Sequence, residues 1–373
     1  LVGNNLAAAP ANEEAEISVF GPGYGESVLV HLGFGDWLIV DSCVDKTRKN
    51  PAPITYLRSI GIDPSTAVKI IIASHWHDDH VRGLASIFEE CTSAQFCCSV
   101  SLNNIEFLTL VGAEKYSIES RVQEFGKILK LIQARKEGRS QSAGPEWAIE
   151  NKRVWQRTAQ PMPVEIFSLS PSSGAVTLAL RQFAQLLPQT DQPKRQAIAV
   201  RPNHAAVVLW VKIGDLSVVL GSDLEETEDP STGWSVIVDS KARPNGKAYV
   251  FKIPHHGSSN GDQPRVWSEM LIDEPLAVLT PFVNGRTELP TRSDVRRIQG
   301  QTPNTFSTNK ILSNQQIKRH GAVEKMIKET VKTIRVIPNT PGHVRLRKTV
   351  VGTSNTNWSV ELFDGAVDLK DVR

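Results

Sequence analysis

Paired cysteines at metal or redox spacing are missing from this chain of 373 residues. Cys43, Cys91, Cys97 and Cys98 are its four cysteines, with no C-x-x-C among them, and adjacent Cys97 and Cys98 are poorly placed to bridge each other. The expectation is a reducing, cytoplasmic setting. Long apolar runs are missing too: the longest are strand-length, far short of the roughly 18 residues of a membrane span, so no membrane partner is expected. Net charge is nearly absent, since 42 basic and 40 acidic residues leave +2, and any basic footprint must therefore be local. The glycine-rich Gly21-Pro22-Gly23-Tyr24-Gly25 lacks a following helix and a Lys-Ser/Thr pair, which excludes a nucleotide P-loop. The Ala-rich Leu6 to Ala11 has neither the basic nor the apolar region of a secretion leader and reads as vector-derived. With 40% hydrophobic content the chain has the material for one large or two ordinary domains.

What the chain has instead is a concentration of histidine. Ser74-His75-Trp76-His77-Asp78-Asp79-His80 holds three of its nine histidines and two aspartates. The apolar, β-branched run Val68 to Ala73 before it predicts a buried strand. Leu84, Ile87 and Phe88 at helical spacing predict a helix over 81–90. A strand end opening into a helix is where α/β proteins place their chemistry. The alternation His75-x-His77 lets two imidazoles from one tight turn reach a single cation, while Asp79 and His80 are turned to serve a second. Imidazole nitrogen and carboxylate oxygen suit Zn²⁺, with Mn²⁺ or Fe as alternatives.

The run His75 to His80 resembles the HxHxDH signature of the metallo-β-lactamase superfamily. That resemblance implies an α/β fold, an αββα sandwich of two mixed sheets flanked by helices, and a two-metal site completed downstream. Asn203-His204, the strands over 205–211 and 216–220, and Gly221-Ser222-Asp223 are similar to the superfamily's next ligand unit. Tyr249 to Pro254 leading into His255-His256-Gly257-Ser258 is similar to its last. The implied set is His75, His77 and His204 on one metal and Asp79, His80 and His255 on the other, with Asp223 bridging. His256 competes with His255 for the last place. His256, Ser258 and Ser259 are candidates for holding substrate oxygens or protonating a leaving group, and Asp79 for orienting the nucleophile.

The opening strands 16–20, 26–32 and 36–40 around the glycine-rich turn resemble the branch related to the hydrolase domain of bacterial competence (DNA uptake) proteins. Asp41 is there the carboxylate that orients the metal-binding imidazoles. Domain bounds of 15–312 follow, with a helical insertion over 113–157 that serves as a lid, as a site for a protein partner or as a packing helix. A small basic extension over 313–373 packs on the domain. Lys310, Lys318, Arg319, Lys325, Lys328, Lys332, Arg335, Arg345, Arg347 and Lys348 make this the one local basic excess, read either as a nucleic-acid surface or as a solvated face. The resemblance and an all-oxygen, all-nitrogen ligand set imply a hydrolase using a metal-bridging hydroxide, most simply a phosphodiesterase or nuclease acting on nucleic acid or a nucleotide. The alternatives are a lactone or thioester hydrolase, and a metal-containing binding or signalling protein.

Overall fold

The computed structural model describes residues 8–45, 50–103, 120–137, 144–186, 202–284, 287–311, 341–351 and 357–371, with Gly321, Met326 and Thr330 standing singly between them. Strands β1 (Glu14–Gly21), β2 (Ser27–His31) and β3 (Trp37–Val40) form an antiparallel meander around the glycine-rich turn. Parallel strands β4 (Val68–Ala73), β5 (Gln95–Ser99) and β6 (Glu146–Ala148) extend that sheet. A second sheet takes β7 (Lys152–Arg157), β8 (Val164–Ser168), β9 (Leu209–Ile213), β10 (Leu216–Leu220), β11 (Ala248–Lys252) and β12 (Leu271–Leu279). A small hairpin of β13 (Phe282–Asn284) and β14 (Thr287–Leu289) precedes β15 (Thr305–Ser307). The chain then returns to the first sheet with β16 (Gly342–Thr349) and β17 (Ser359–Phe363), and ends in the second with β18 (Val367–Asp368). Two mixed eight-stranded sheets result, in the orders 17-16-1-2-3-4-5-6 and 18-15-12-11-10-9-8-7.

Strand alternation decides the layering. In the first sheet Val28, Val30, Leu38, Val40, Ile70 and Ile72 face the second sheet, meeting Val164, Ile166, Val211 and Val218 in a common core. Their neighbours Leu29, Ile39 and Ile71 face outward, where Leu57, Phe88 and other helical residues cover them. On the far side Trp210, Val219, Phe251 and Ala277 are covered by Trp234, Trp267 and Ile298 from three more helices. The order helix, sheet, sheet, helix is the expected αββα sandwich.

The long helix expected near residue 113 is present as Ser120–Glu137. Its Phe125, Ile128 and Ile132 are buried in the outer layer of the first sheet, and Arg135 lies over the Phe88 ring while donating to the Cys91 carbonyl. The end of the helical insertion expected over 113–157 is corrected: Trp147 and Trp155 lie in β6 and β7, joined by a turn at Asn151 with φ +57°. The expected C-terminal extension is corrected as well. β16 pairs with β1 along eight residue pairs inside the first sheet, so the segment is part of the sandwich rather than packed on it. Arg345 and Arg347 do not belong to a solvent-facing basic patch, because both are buried and ion-paired, with Glu361 and Glu16. Lys318, Arg319, Lys325, Lys328, Lys332 and Arg335 lie outside the described residues.

Parallel pairing of β3 with β4 and of β10 with β11 brings four strand ends to one edge of the sandwich. Asp41, Ser74, Gly221 and Ile253 are the next residues out, and the histidine-rich motif begins there. Two glycines make the convergence possible by close approach. A Cβ on Gly25 would stand 2.0 Å from the Asp79 carbonyl oxygen, and one on Gly221 would stand 2.8 Å from the Lys252 carbonyl oxygen.

Candidate metal centre

Asp41 leaves β3 with φ +59°, a left-handed conformation that Asp tolerates better than most residues. Its carboxylate accepts the Ser74 N–H (2.7 Å), the Ser74 hydroxyl (2.5 Å) and the His80 Nδ1 proton (2.7 Å). Burial pushes the Asp41 carboxyl above its ordinary range, and His80 and Ser74 pull against it. Because the Ser74 hydroxyl gives its proton to Asp41, it accepts from His75 Nδ1 at 3.0 Å. Asp41 thus fixes the tautomers of two imidazoles. On the opposite sheet His256 Nδ1 donates to the Thr280 carbonyl at 3.0 Å. The remaining nitrogens of all three rings then carry lone pairs.

Those lone pairs converge. From Asp223 Oδ2, His80 Nε2 is 3.3 Å away, His256 Nε2 3.5 Å and His75 Nε2 3.9 Å. His77 Nδ1 lies 3.1 Å from His75 Nε2, and Asp79 Oδ2 lies 3.9 Å from His256 Nε2. Four sets of residues have ligand atoms within reach of one another among the described residues, and two of them share no residue: His75 with His77 and Asp223, and Asp79 with His80 and His256. His80 Nε2 and Asp223 Oδ1 are buried and have no hydrogen-bond partner. Buried polar atoms are rarely left so, and the donor set fits a pair of divalent cations: imidazoles whose other nitrogens are already engaged, carboxylates at the centre and, among the described residues, no cysteine in either group.

The charges agree with that fit. Burial, then His80 and His77, hold His75 well below its ordinary pKa. Burial works against ionised Asp79 and Asp223, yet the surrounding histidines keep both carboxyls below their usual range, Asp223 well below. Burial also disfavours protonated His80, but Asp223 and Asp41 outweigh it and hold its pKa well above the usual value. A cation reaching Nε2 therefore competes with a proton for the same lone pair.

The structure places His256, not His255, in the second group. His255 and His256 are consecutive left-handed residues, φ +46° and +55°, and the turn they make after Pro254 directs the second ring inward. His255 instead meets Asn260 Oδ1 (3.0 Å), Asn203 Nδ2 (3.3 Å) and Glu225 (3.5 Å) on the rim. His204 lies in the turn Pro202–Ala205, outside both groups, although its Nδ1 is buried without a partner. Its segment touches the motif three residues later, where Val207 N–H donates to the Ser74 carbonyl at 2.9 Å. Ser258, half-buried, and Ser259, exposed, follow His256 along the rim. Arg297 holds this loop by donating to the Gly257 carbonyl at 2.7 Å and pairing with Asp262 at 2.7 Å.

Two residues at the site carry no sequence expectation. Glu26 donates its N–H to the Asp79 carbonyl at 3.1 Å, and its Oε1 pairs with Lys252 Nζ at 2% side-chain exposure of the lysine. The available signal was a single lysine inside the otherwise apolar strand Tyr249-Val250-Phe251-Lys252-Ile253.

Residues 20–132 match the family model of the metallo-beta-lactamase superfamily. The chain is 24% identical over 157 residues to ComE operon protein 3 of Bacillus subtilis, a match covering 42% of this chain and 17% of that protein's length. Among solved structures, the metallo-beta-lactamase fold protein YhfI from Bacillus subtilis is 12% identical, covers 64% of this chain and 69% of its own, and has a TM-score of 0.30. MEM-A1, a subclass B3 metallo-beta-lactamase from a soil metagenome library, is 12% identical, covers 68% and 83%, and has a TM-score of 0.32.

Proposed function

Because the chain carries a metallo-beta-lactamase superfamily domain, we propose that it is a metal-dependent hydrolase of phosphodiesters, with a nucleic acid or a nucleotide as substrate. The observation that carries this reading is the convergence of the lone pairs of His75, His80 and His256 on Asp223, with each ring's other nitrogen already engaged. His75, His77 and Asp223 would hold one ion and Asp79, His80 and His256 the other. Zn²⁺ suits these donors best, and Mn²⁺ or Fe are the alternatives. Two such ions supply a hydroxide at neutral pH and charge stabilisation on either side of an in-line displacement.

The chain's own residues do the rest. Asp41 keeps His75 and His80 in the binding tautomer, and Asp79 accepts a hydrogen bond from the attacking group and so orients it. His255, Ser258 and Ser259 on the rim face an incoming substrate and offer donors to its non-bridging oxygens. Two features support phosphorus over an acyl carbon. The donor set is entirely oxygen and nitrogen, and the sequence resembles the competence-type branch, whose hydrolase domains belong to DNA-uptake proteins.

The test is metal analysis of the purified chain followed by turnover of bis-p-nitrophenyl phosphate, single- and double-stranded DNA, RNA, cyclic nucleotides and an acyl-homoserine lactone with Zn²⁺ or Mn²⁺. About two ions per chain and cleavage of phosphodiesters are the expected result. Lactone turnover with every phosphodiester inert would transfer the site to acyl hydrolysis, and bound metal with no turnover at all would leave a binding protein.

A further inference from the structure

The pair beneath the cluster has no part in the reading above. Lys252 is 1% exposed and Glu26 3% exposed, and a buried lysine is tolerated only when its charge is matched. Glu26 Oε1 supplies the match. Glu26 Oε2 is buried with no hydrogen-bond partner, and it stands 3.7 Å from His256 Nδ1, the nitrogen engaged with the Thr280 carbonyl. Glu26 also lies within ligand range of His80 and Asp223, and the pair lines a cavity of about 10 Å³ together with Asp41 and Ser222.

Lys252 comes from β11 of the second sheet and Glu26 from the turn before β2 of the first, 226 residues apart. The pair therefore spans the two sheets directly under the place where their strand ends meet. An unanchored carboxylate at this spot would compete with Thr280 for the His256 Nδ1 proton and rotate the ring. Held by Lys252, it cannot.

We propose that Glu26 and Lys252 form a charge-matched floor that positions His256, so that cation binding by Asp79, His80 and His256 depends on a lysine that touches neither the cation nor the substrate. This rests on the reading of the cluster as a two-cation site. Removing Lys252 frees Glu26 Oε2 and misdirects His256 Nε2, whereas Glu26→Gln removes the competing carboxylate and leaves His256 on Thr280; His75 and His77, oriented through Ser74, keep their geometry in both. Residues that orient metal-binding imidazoles are commonly worth about 10- to 100-fold in affinity.

The experiment is Zn²⁺ titration of the chelator-treated 373-residue chain against a chromophoric competitor, for the wild type, Lys252→Met and Glu26→Gln, with the visible spectrum of the Co²⁺-loaded proteins as a second readout. Two equivalents are expected in the wild type. In Lys252→Met one equivalent should weaken by about tenfold or more with an altered Co²⁺ spectrum, the other staying as it was, and Glu26→Gln, with no carboxylate to compete for His256, should keep both equivalents and the spectrum. A purely structural pair would lower thermal stability in Lys252→Met and leave both affinities and the spectrum alone, and that result overturns the inference. If Lys252→Met does not fold, Lys252→Gln, which keeps a donor and loses the charge, decides by the same weakening of one equivalent. A folded wild type that takes up no metal overturns the site reading itself, an outcome distinct from an unchanged Lys252 variant of a two-metal wild type.

Discussion

At the seam between β1 and β16, Arg347 donates to Glu16 (2.7 Å), Arg345 to Glu361 (2.7 Å), and both guanidiniums reach the Tyr56 hydroxyl at 3.1 and 3.3 Å. Ser18 donates to Glu16 at 2.7 Å and accepts from His343 at 2.8 Å. None of these side chains leaves a buried nitrogen or oxygen without a partner. The cluster at the strand ends uses similar residues at similar depth, yet it leaves His80 Nε2 and Asp223 Oδ1 buried and unpartnered. Burying charge is costly in either place, and each region meets the cost differently. The seam closes its hydrogen bonds within the protein and so specifies which strand pairs with which. The cluster leaves lone pairs pointing at one another, an arrangement that repels until a cation or proton lies between them.

The comparison breaks most sharply if Asp223→Ala keeps its metal. Activity toward bis-p-nitrophenyl phosphate is expected to fall by more than about a hundredfold, beyond the loss of an orienting residue alone, with elemental analysis finding fewer ions per chain and circular dichroism unchanged. The converse change is at the seam. Arg347→Met leaves Glu16 buried without its counter-ion, and denaturant unfolding should register a loss of about 3–5 kcal/mol. Metal content per folded chain should stay at the wild-type value, and a drop there would mean the two regions are not independent.

A pH series sharpens the distinction. His31 is held to a pKa of about 4 by burial, and its bonding requires the neutral ring, because Nδ1 donates to the Glu14 carbonyl while Nε2 accepts the Gly35 N–H. A group whose folded pKa is depressed stabilises above its unfolded value, so this contribution is full above about pH 6.5 and is lost as pH falls toward 4, on the order of 3 kcal/mol. Thermal midpoints from pH 7 to 4 should decline less steeply in His31→Gln, and parallel curves would reject the assignment. The smallest effect is expected from Thr291→Ala. Thr291 caps helix Arg292–Gln301 in a reciprocal pair with Asp294, and removing it should cost about 1 kcal/mol. Arg297 is carried on that helix, so KM should rise with kcat nearly constant if the clamp on Gly257 loosens, and the metal content should not move.

Local signals carried much of this architecture. The meander β1 to β3 and the strand before the histidine motif were legible, because alternation acts over a few residues. The choice between His255 and His256 was not legible: both follow the same strand, and two consecutive left-handed residues decide which ring turns inward. Trp147 and Trp155 misled because five apolar residues in nine positions fit a helix as well as two short strands, and pairing with Cys98 and Ile166 settled the matter. The basic residues of β16 misled because charge counted along a sequence ignores partners such as Glu16, 331 positions from Arg347. Glu26 was invisible for the same reason, and Lys252 was marked only by its place in an otherwise apolar strand.

That distant pairing also sets an order of events in the growing chain. β1 is flanked by β2 on one side and by β16 on the other, so its outer rim of N–H and C=O groups waits for a strand made more than three hundred residues later. At ribosomal speeds of about 5–20 residues per second the wait is roughly a quarter of a minute to a minute. Throughout it the nascent sheet presents a bare edge bearing Glu14 and Glu16, and charged residues on an open edge discourage the wrong neighbour. The glutamate that later anchors Arg347 thus guards its own strand until the arginine arrives.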